Sequence, residues 1–257
     1  MSMAHLPSPP APAPDWAWFL DVDGTLIDIA PTPSAISIPV ELPSLLAAVA
    51  RCHGGALALV SGRSLDNLAQ LVAPFDPPAA GLHGIERRNA RGEVVRPDPP
   101  AGLDAIRDRL AMIEQWPGVL LEDKGLTLAV HYRQAAAREE DCRRLAEAVA
   151  ADYPEFVVLH GKMVFELRPR GRDKGAALRD FMGEPPFKGR VPVFVGDDLT
   201  DESGFLAANE LGGLSVLVGP LRETCASFDL PDIGSCRSWL ARAAGTMWAP
   251  RMGEGAD

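Results

Sequence analysis

The chain has 257 residues, enough for one large or two modest domains, and its 47% hydrophobic and 23% charged residues suit an ordinary globular fold. A net charge of −10 argues against a nucleic-acid partner, because a phosphate backbone calls for a basic face. No apolar stretch approaches the ~20 residues that cross a bilayer, so no membrane partner is expected. Cys52, Cys142, Cys225 and Cys236 lack the spacing of a zinc site or redox pair, which predicts reduced thiols in a cytoplasmic protein.

The N-terminal stretch, residues 1–15, has no basic segment followed by an apolar run and is no secretory signal. Its Pro-Ala composition predicts a disordered or extended leader. Residues 16–20 form an apolar run of strand length ending at Asp21. Leu42, Leu45, Leu46 and Val49 then recur on one face of a helix. Further strands are predicted at 56–60, ending at Ser61-Gly62-Arg63, and at 79–82, ending at His83-Gly84. The middle changes character. A helical pattern over 101–116 precedes the adjacent strands VLLEDK and LTLAVHYR, joined by a turn at Gly125. A second helix over 135–151 precedes a strand pair over 156–168, with its turn at Gly161-Lys162. The strands 191–195, ending at Gly196-Asp197-Asp198, and 214–218 return to the first pattern.

Strands apolar throughout and alternating with helices imply a parallel sheet covered on both faces. The α-β-β-α-β-β order between implies a small antiparallel sheet backed by two helices. The fold class is therefore α/β: a Rossmann-like parallel-sheet core over 16–100 and 169–245. An inserted α+β cap over 101–168 interrupts it, and a tail covers 246–257.

The polar residues gather just past the strand ends, where open α/β sheets bind ligands. Asp21 and Asp23 are two apart, so both can reach one small volume. Crowding two carboxylates is costly unless a cation or phosphoryl chemistry occupies the site. Ser61 follows the second strand, Lys174 opens a helix, and Asp197, Asp198 and Asp201 follow the strand VPVFV. This set resembles the haloacid dehalogenase superfamily. Phosphoryl transfer needs a nucleophile, a metal and donors for the phosphate oxygens. Asp21 can be the nucleophile, and Asp23 can protonate the leaving oxygen and then activate water. Ser61 and Lys174 can donate to phosphate. Mg²⁺ would draw on carboxylates of Asp21, Asp197 and either Asp198 or Asp201, with the backbone carbonyl of Asp23.

The segments WAWFLDVDGTL, GALALVSGRS, GLHGIERR, LEDKGLTLAVHYR, FELRPRGRDKGAAL and PVFVGDDLTDESGF resemble the trehalose-6-phosphate phosphatase family, from about Trp16 to about Trp239. The resemblance implies Mg²⁺-dependent hydrolysis of trehalose 6-phosphate through an aspartyl-phosphate, a functional link to a trehalose-6-phosphate synthase, and a cap that closes as a lid. Strand alternation puts Glu122 with Lys124, His131 with Arg133, and Lys162 with Glu166 and Arg168 on one face of the small sheet. By resemblance, Glu122, Lys124 and Glu166 contact the sugar. Arg63, His83, Glu86 and Arg88 flank core strand ends and are further substrate-binding candidates at the domain junction. The rival readings are another sugar-phosphate phosphatase, of the sucrose phosphate or mannosyl phosphoglycerate type, and a non-catalytic sugar-phosphate sensor. The sensor is disfavoured because Asp21, Asp23, Lys174 and Asp197 are all present.

Overall fold

The computed structural model describes residues 6–29 and 37–247. In chain order the core begins with β1 (Trp16–Leu20), α1 (Leu42–Cys52), β2 (Leu57–Val60), α2 (Leu65–Val72) and β3 (Ala79–Gly81). A short antiparallel extension follows, β4 (Glu86–Arg88) and β5 (Val94–Val95). The middle of the chain forms α3 (Leu103–Leu110), β6 (Leu120–Asp123), β7 (Leu128–His131), α4 (Glu139–Ala151), β8 (Phe156–Gly161) and β9 (Val164–Pro169). The chain then returns through α5 (Lys174–Met182), β10 (Val191–Gly196), α6 (Glu202–Glu210), β11 (Leu214–Val218), β12 (Phe228–Leu230) and α7 (Ile233–Ala243).

The larger sheet has the order β12-β11-β10-β1-β2-β3-β4-β5 and is parallel from β12 to β3. Alternation along β1 shows why its residues are all apolar. Trp16, Trp18 and Leu20 enter one core layer with α1, α2 and α7, while Ala17 and Phe19 enter the other with α5 and α6. A strand buried on both faces has no polar side to show. The first layer is anchored by indoles, with the Trp18 and Trp239 ring centroids 5.0 Å apart. β1 is also where the winding reverses: β2 and β3 build out one way, β10 to β12 the other. The crevice beyond its C-terminal end is the topological switch point of the sheet.

The smaller sheet runs β6-β7-β9-β8, antiparallel throughout. One face packs on α3 and α4 through Ile106, Leu110, Val130, Val149, Phe165 and Leu167. The other face carries the charged residues of alternate phase and looks toward the switch point.

Several boundaries differ from the periodicity. The helix expected over 101–116 ends at Leu110 and tightens into a 3₁₀ turn, Ala111–Gln115. The helix expected from 135 starts at Glu139, where Glu139, Glu140 and Asp141 place negative charge on the first turn. The β8–β9 turn falls at Lys162-Met163, because Gly161 still pairs with Val164. β4 is a polar Glu-Arg-Arg and β12 a three-residue Phe-Asp-Leu, too short to form an apolar run, so no pattern announces them.

Of the leader, residues 6–15 lie along the core. The Asp229 amide donates to the Pro7 carbonyl at 3.1 Å, and Trp239 Nε1 donates to the Pro10 carbonyl at 3.0 Å. Proline fixes φ, so an extended strip of this composition loses little backbone freedom on docking, and its carbonyls remain good acceptors. The rest of the leader, residues 1–5, and the tail from 248 onward lie outside the described residues. Among the described residues, no helix is long and apolar enough to cross a membrane, and the four cysteines are unpaired.

Candidate active site

A cavity of about 330 Å³ opens at the switch point, between the core strand ends and the charged face of the small sheet. Asp21 enters it directly from β1, and its amide donates to the Val195 carbonyl, which ties β1 to β10 at the site. Ser61 follows β2, His83 follows β3, and Asp197 follows β10. Lys174 is the first residue of α5, whose N-cap Asp173 accepts from the Ala176 amide. Parallel strands thus deliver residues far apart in sequence to one rim.

Lys174 is buried and stands 2.7 Å from both Asp21 Oδ1 and Asp201 Oδ1. Burial alone would lower its pKa, but Asp201 and Asp21 hold it above the ordinary lysine value. Burial raises Asp21 well above the usual carboxylate range against the pull of Lys174, with Asp201 and Asp197 adding to the rise. Burial likewise pushes Asp197 up to about 6, opposed by Lys162. Asp21 Oδ2 accepts from Thr25 Oγ1 at 3.1 Å.

Carboxylate oxygens of Asp21, Asp197 and Asp201 all lie within 4.8 Å of one another. Asp197 Oδ1 is buried and accepts no hydrogen bond. Gly24, with φ +85°, closes the cradle: a Cβ there would meet Asp197 Oδ2 at 2.1 Å. Clustered hard oxygens with one lone acceptor fit a hard divalent cation. Asp201 is the organiser of this cradle. Its Oδ2 accepts from the Asp197 and Asp198 amides, both at 3.0 Å. The Asp198 carboxylate instead caps the turn that follows, accepting from the Thr200 amide at 2.6 Å. Of the acids expected around a metal, Asp21, Asp197 and Asp201 bring their carboxylates together, while the Asp198 carboxylate is turned to the Thr200 amide.

Asp23 lines the cavity with both oxygens held by Arg63: Nε to Oδ2 at 2.6 Å and a terminal nitrogen to Oδ1 at 2.5 Å. Arg63 is set in turn by Asn67 Oδ1 at 2.7 Å. Ser61 Oγ accepts from the Arg63 amide at 3.2 Å.

The facing sheet meets the core through charge. Glu166 is buried, accepts from Thr127 Oγ1 at 2.7 Å and pairs with Lys124 Nζ at 2.9 Å. Lys124 also donates to the Gly62 carbonyl at 3.0 Å, which bridges the two sheets. Burial would raise the Glu166 pKa, but Lys124 and His83 hold it well below the usual range. His83, with φ 57°, brings Nε2 to 3.4 Å from Glu166 and packs where a Cβ on Gly62 would stand. Burial lowers its pKa against the pull of Glu166. Glu122 accepts from or shares a proton with His131 Nε2 at 2.7 Å.

Two expected residues are not brought to the cavity. Glu86 is buried and accepts from the Leu65 amide at 2.6 Å, while Arg96 covers its other oxygen. Arg88 turns to the Pro77 carbonyl and Asp76. Antiparallel β4 carries Arg88 back beside Ala79, whereas Glu86 stays beside Gly81 at the strand end and spends its carboxylate on the Leu65 amide and Arg96. Arg63, His83, Glu122, Lys124 and Glu166 do line the cavity. So do His131, Arg133 and Lys162, which were placed on the charged face but not singled out. The alternation around Glu166 already carried that signal.

The trehalose-phosphatase family model matches residues 19–232. The chain belongs to the trehalose-phosphatase family. Members of the family with named function are close. A probable trehalose-phosphate phosphatase of Sinorhizobium fredii is 47% identical, covering 90% of this chain and 88% of the relative. The trehalose-6-phosphate phosphatase of Escherichia coli is 44% identical, covering 88% and 85%. Among solved structures, the C-terminal domain of the C. albicans trehalose-6-phosphate phosphatase shares the fold at a TM-score of 0.83 and 23% identity, covering 96% of this chain and all of that one. The family's phosphatase chemistry agrees with the cradle and the buried lysine.

Proposed function

We propose that the protein hydrolyses trehalose 6-phosphate to trehalose and phosphate, with Mg²⁺ in the cradle of Asp21, Asp197 and Asp201. The observation that carries this reading is the buried cluster in which Lys174 bridges Asp21 and Asp201 beside the unpartnered oxygen of Asp197. Mg²⁺ would neutralise phosphate charge and orient it for in-line attack. An Asp21 oxygen attacks phosphorus as the bond to the sugar oxygen breaks, and Asp23 gives that oxygen its proton. Asp23 then takes a proton from water, which attacks the aspartyl-phosphate, and the Asp21–phosphorus bond breaks to release phosphate. Lys174 and Ser61 hold phosphate oxygens. Arg63 occupies both Asp23 oxygens, so proton transfer requires the guanidinium to release at least one.

The inserted cap, residues 101–168, serves as the lid. Glu122, Lys124 and Glu166 offer charged partners to sugar hydroxyls once water is excluded. Arg63 and His83 stand at the junction. The same charged face would suit a disaccharide supplied by a trehalose-6-phosphate synthase, and the four free thiols fit a cytoplasmic setting. Phosphate release across a panel of sugar phosphates, with and without Mg²⁺, tests the proposal. Trehalose 6-phosphate should be preferred, chelation should abolish turnover, and Asp21→Asn should lower kcat by more than about three orders of magnitude. A different preferred sugar phosphate would overturn the substrate, and an undiminished Asp21→Asn would overturn the nucleophile.

A further inference from the structure

Lys162 stands at the tip of the β8–β9 hairpin, the part of the small sheet nearest the acidic cradle. Its backbone is held there. The Lys162 carbonyl accepts from an Arg133 terminal nitrogen at 2.8 Å, and the next residue, Met163, adopts φ 65°, a left-handed conformation uncommon for a side chain of this size. Gly161 sits against the core turn, where a Cβ would lie 3.8 Å from Asp198 Oδ2. From this tip the ammonium reaches over to ion-pair with Asp197 Oδ2. The two partners are unequal: the Lys162 side chain is 46% exposed and that of Asp197 only 2%. The carboxylate is fixed in the core, whereas the ammonium is wet and free to swing on its four-carbon stem.

Ionised together, Asp21, Asp197 and Asp201 would carry three negative charges, and buried Lys174 returns one positive, leaving two. A divalent cation at the open Asp197 Oδ1 would balance that remainder, and the ammonium on Oδ2 of the same carboxylate would then be surplus and repelled. A phosphate monoester brings up to two further negative charges to the same rim, a few ångströms from the displaced ammonium.

We propose that Lys162 competes with the divalent cation for Asp197 and, once displaced, turns to the substrate's phosphate as a positioning residue borne by the lid. Closing the lid over a loaded cradle then adds a cation to the phosphate. Closing it over an unloaded cradle spends that cation on Asp197. This inference rests on the phosphatase reading above and assigns a role to a residue outside that reaction scheme.

The test is calorimetric titration of Mg²⁺ into the full-length wild type, Lys162→Met and Lys162→Arg, without sugar phosphate. Lys162→Met should bind Mg²⁺ tighter by on the order of fivefold, the scale of one solvent-exposed ion pair. Lys162→Arg should stay near the wild type. At saturating Mg²⁺, the KM of Lys162→Met for trehalose 6-phosphate should rise about tenfold, with Lys162→Arg restoring most of it. Equal or weaker Mg²⁺ binding by Lys162→Met, beside a normal wild-type titration, would overturn the competition and leave the phosphatase reading intact. Tighter Mg²⁺ binding with an unchanged KM would overturn the transfer to phosphate. A wild type that binds no Mg²⁺ in the cradle would overturn both this inference and the metal reading.

Discussion

Asp21 and Asp23 leave the same strand end but meet different partners. Asp21 is buried between Lys174 and Thr25, fixed for attack, while Asp23 faces the cavity under the Arg63 fork. Their spacing already placed both on one side of a strand, yet their division of labour depends on Lys174 and Arg63, which lie far along the chain. The proton role proposed for Asp23 has a measurable signature. Asp23→Asn should lower kcat on trehalose 6-phosphate by roughly 10²–10⁴-fold, the usual worth of a general acid. The loss of the acid step should be much smaller with p-nitrophenyl phosphate, whose leaving group needs no proton. Equal losses of aspartyl-phosphate formation rate on both substrates, read by rapid quench, would count against the assignment. Glu86 illustrates the opposite case: a carboxylate two residues from a Gly-rich strand end looks like a ligand. Its oxygens instead satisfy the Leu65 amide and Arg96, contacts that no local pattern displays.

The small sheet shows how an element's phase carries chemistry. Along β9, Phe165 and Leu167 enter the hydrophobic layer while Glu166 and Arg168 take the other face, as period two requires. Glu166 is the most deeply placed of these charges, and its pairing with Lys124 joins β9 to β6 and to the Gly62 carbonyl. Its pKa is held below its ordinary 4.5, so its contribution to stability is complete above that pH and fades as pH falls below it toward the depressed value. Glu166→Gln should therefore be less stable than the wild type by roughly 3 kcal/mol at neutral pH, since a buried partner is lost. Urea unfolding from pH 7 to 3 should show that difference level down to about 4.5 and shrinking below it. A difference that is already shrinking between pH 7 and 5 would refute the pairing as its source.

The molecule as a whole is closed by a segment that composition marks as a tail. Residues 6–15 run beside β12 and α7, and their carbonyls satisfy Asp229, Trp239 and Arg190. Deleting residues 1–10 replaces these acceptors of the Trp239 indole N–H and the Asp229 amide by water, at about 0.5–1.5 kcal/mol per hydrogen bond. Thermal unfolding of the truncated chain should begin several degrees lower, with the KM for substrate unchanged, because this strip lies at α7 and not at the strand ends. An unchanged Tm would show the docking to be energetically idle.

The apolar strand runs, the carboxylate spacing and the two families of periodicity are local properties, and they determined the α/β core, the inserted sheet and the candidates proposed for phosphoryl chemistry. What the tertiary structure alone decided was convergence. It set which acids share a cradle, which arginine holds Asp23, where Lys162 reaches, and that the proline strip docks. The reason is physical: hydrophobic period is written residue by residue, whereas hydrogen-bond partners and burial belong to groups brought together only when the parallel strands align their ends.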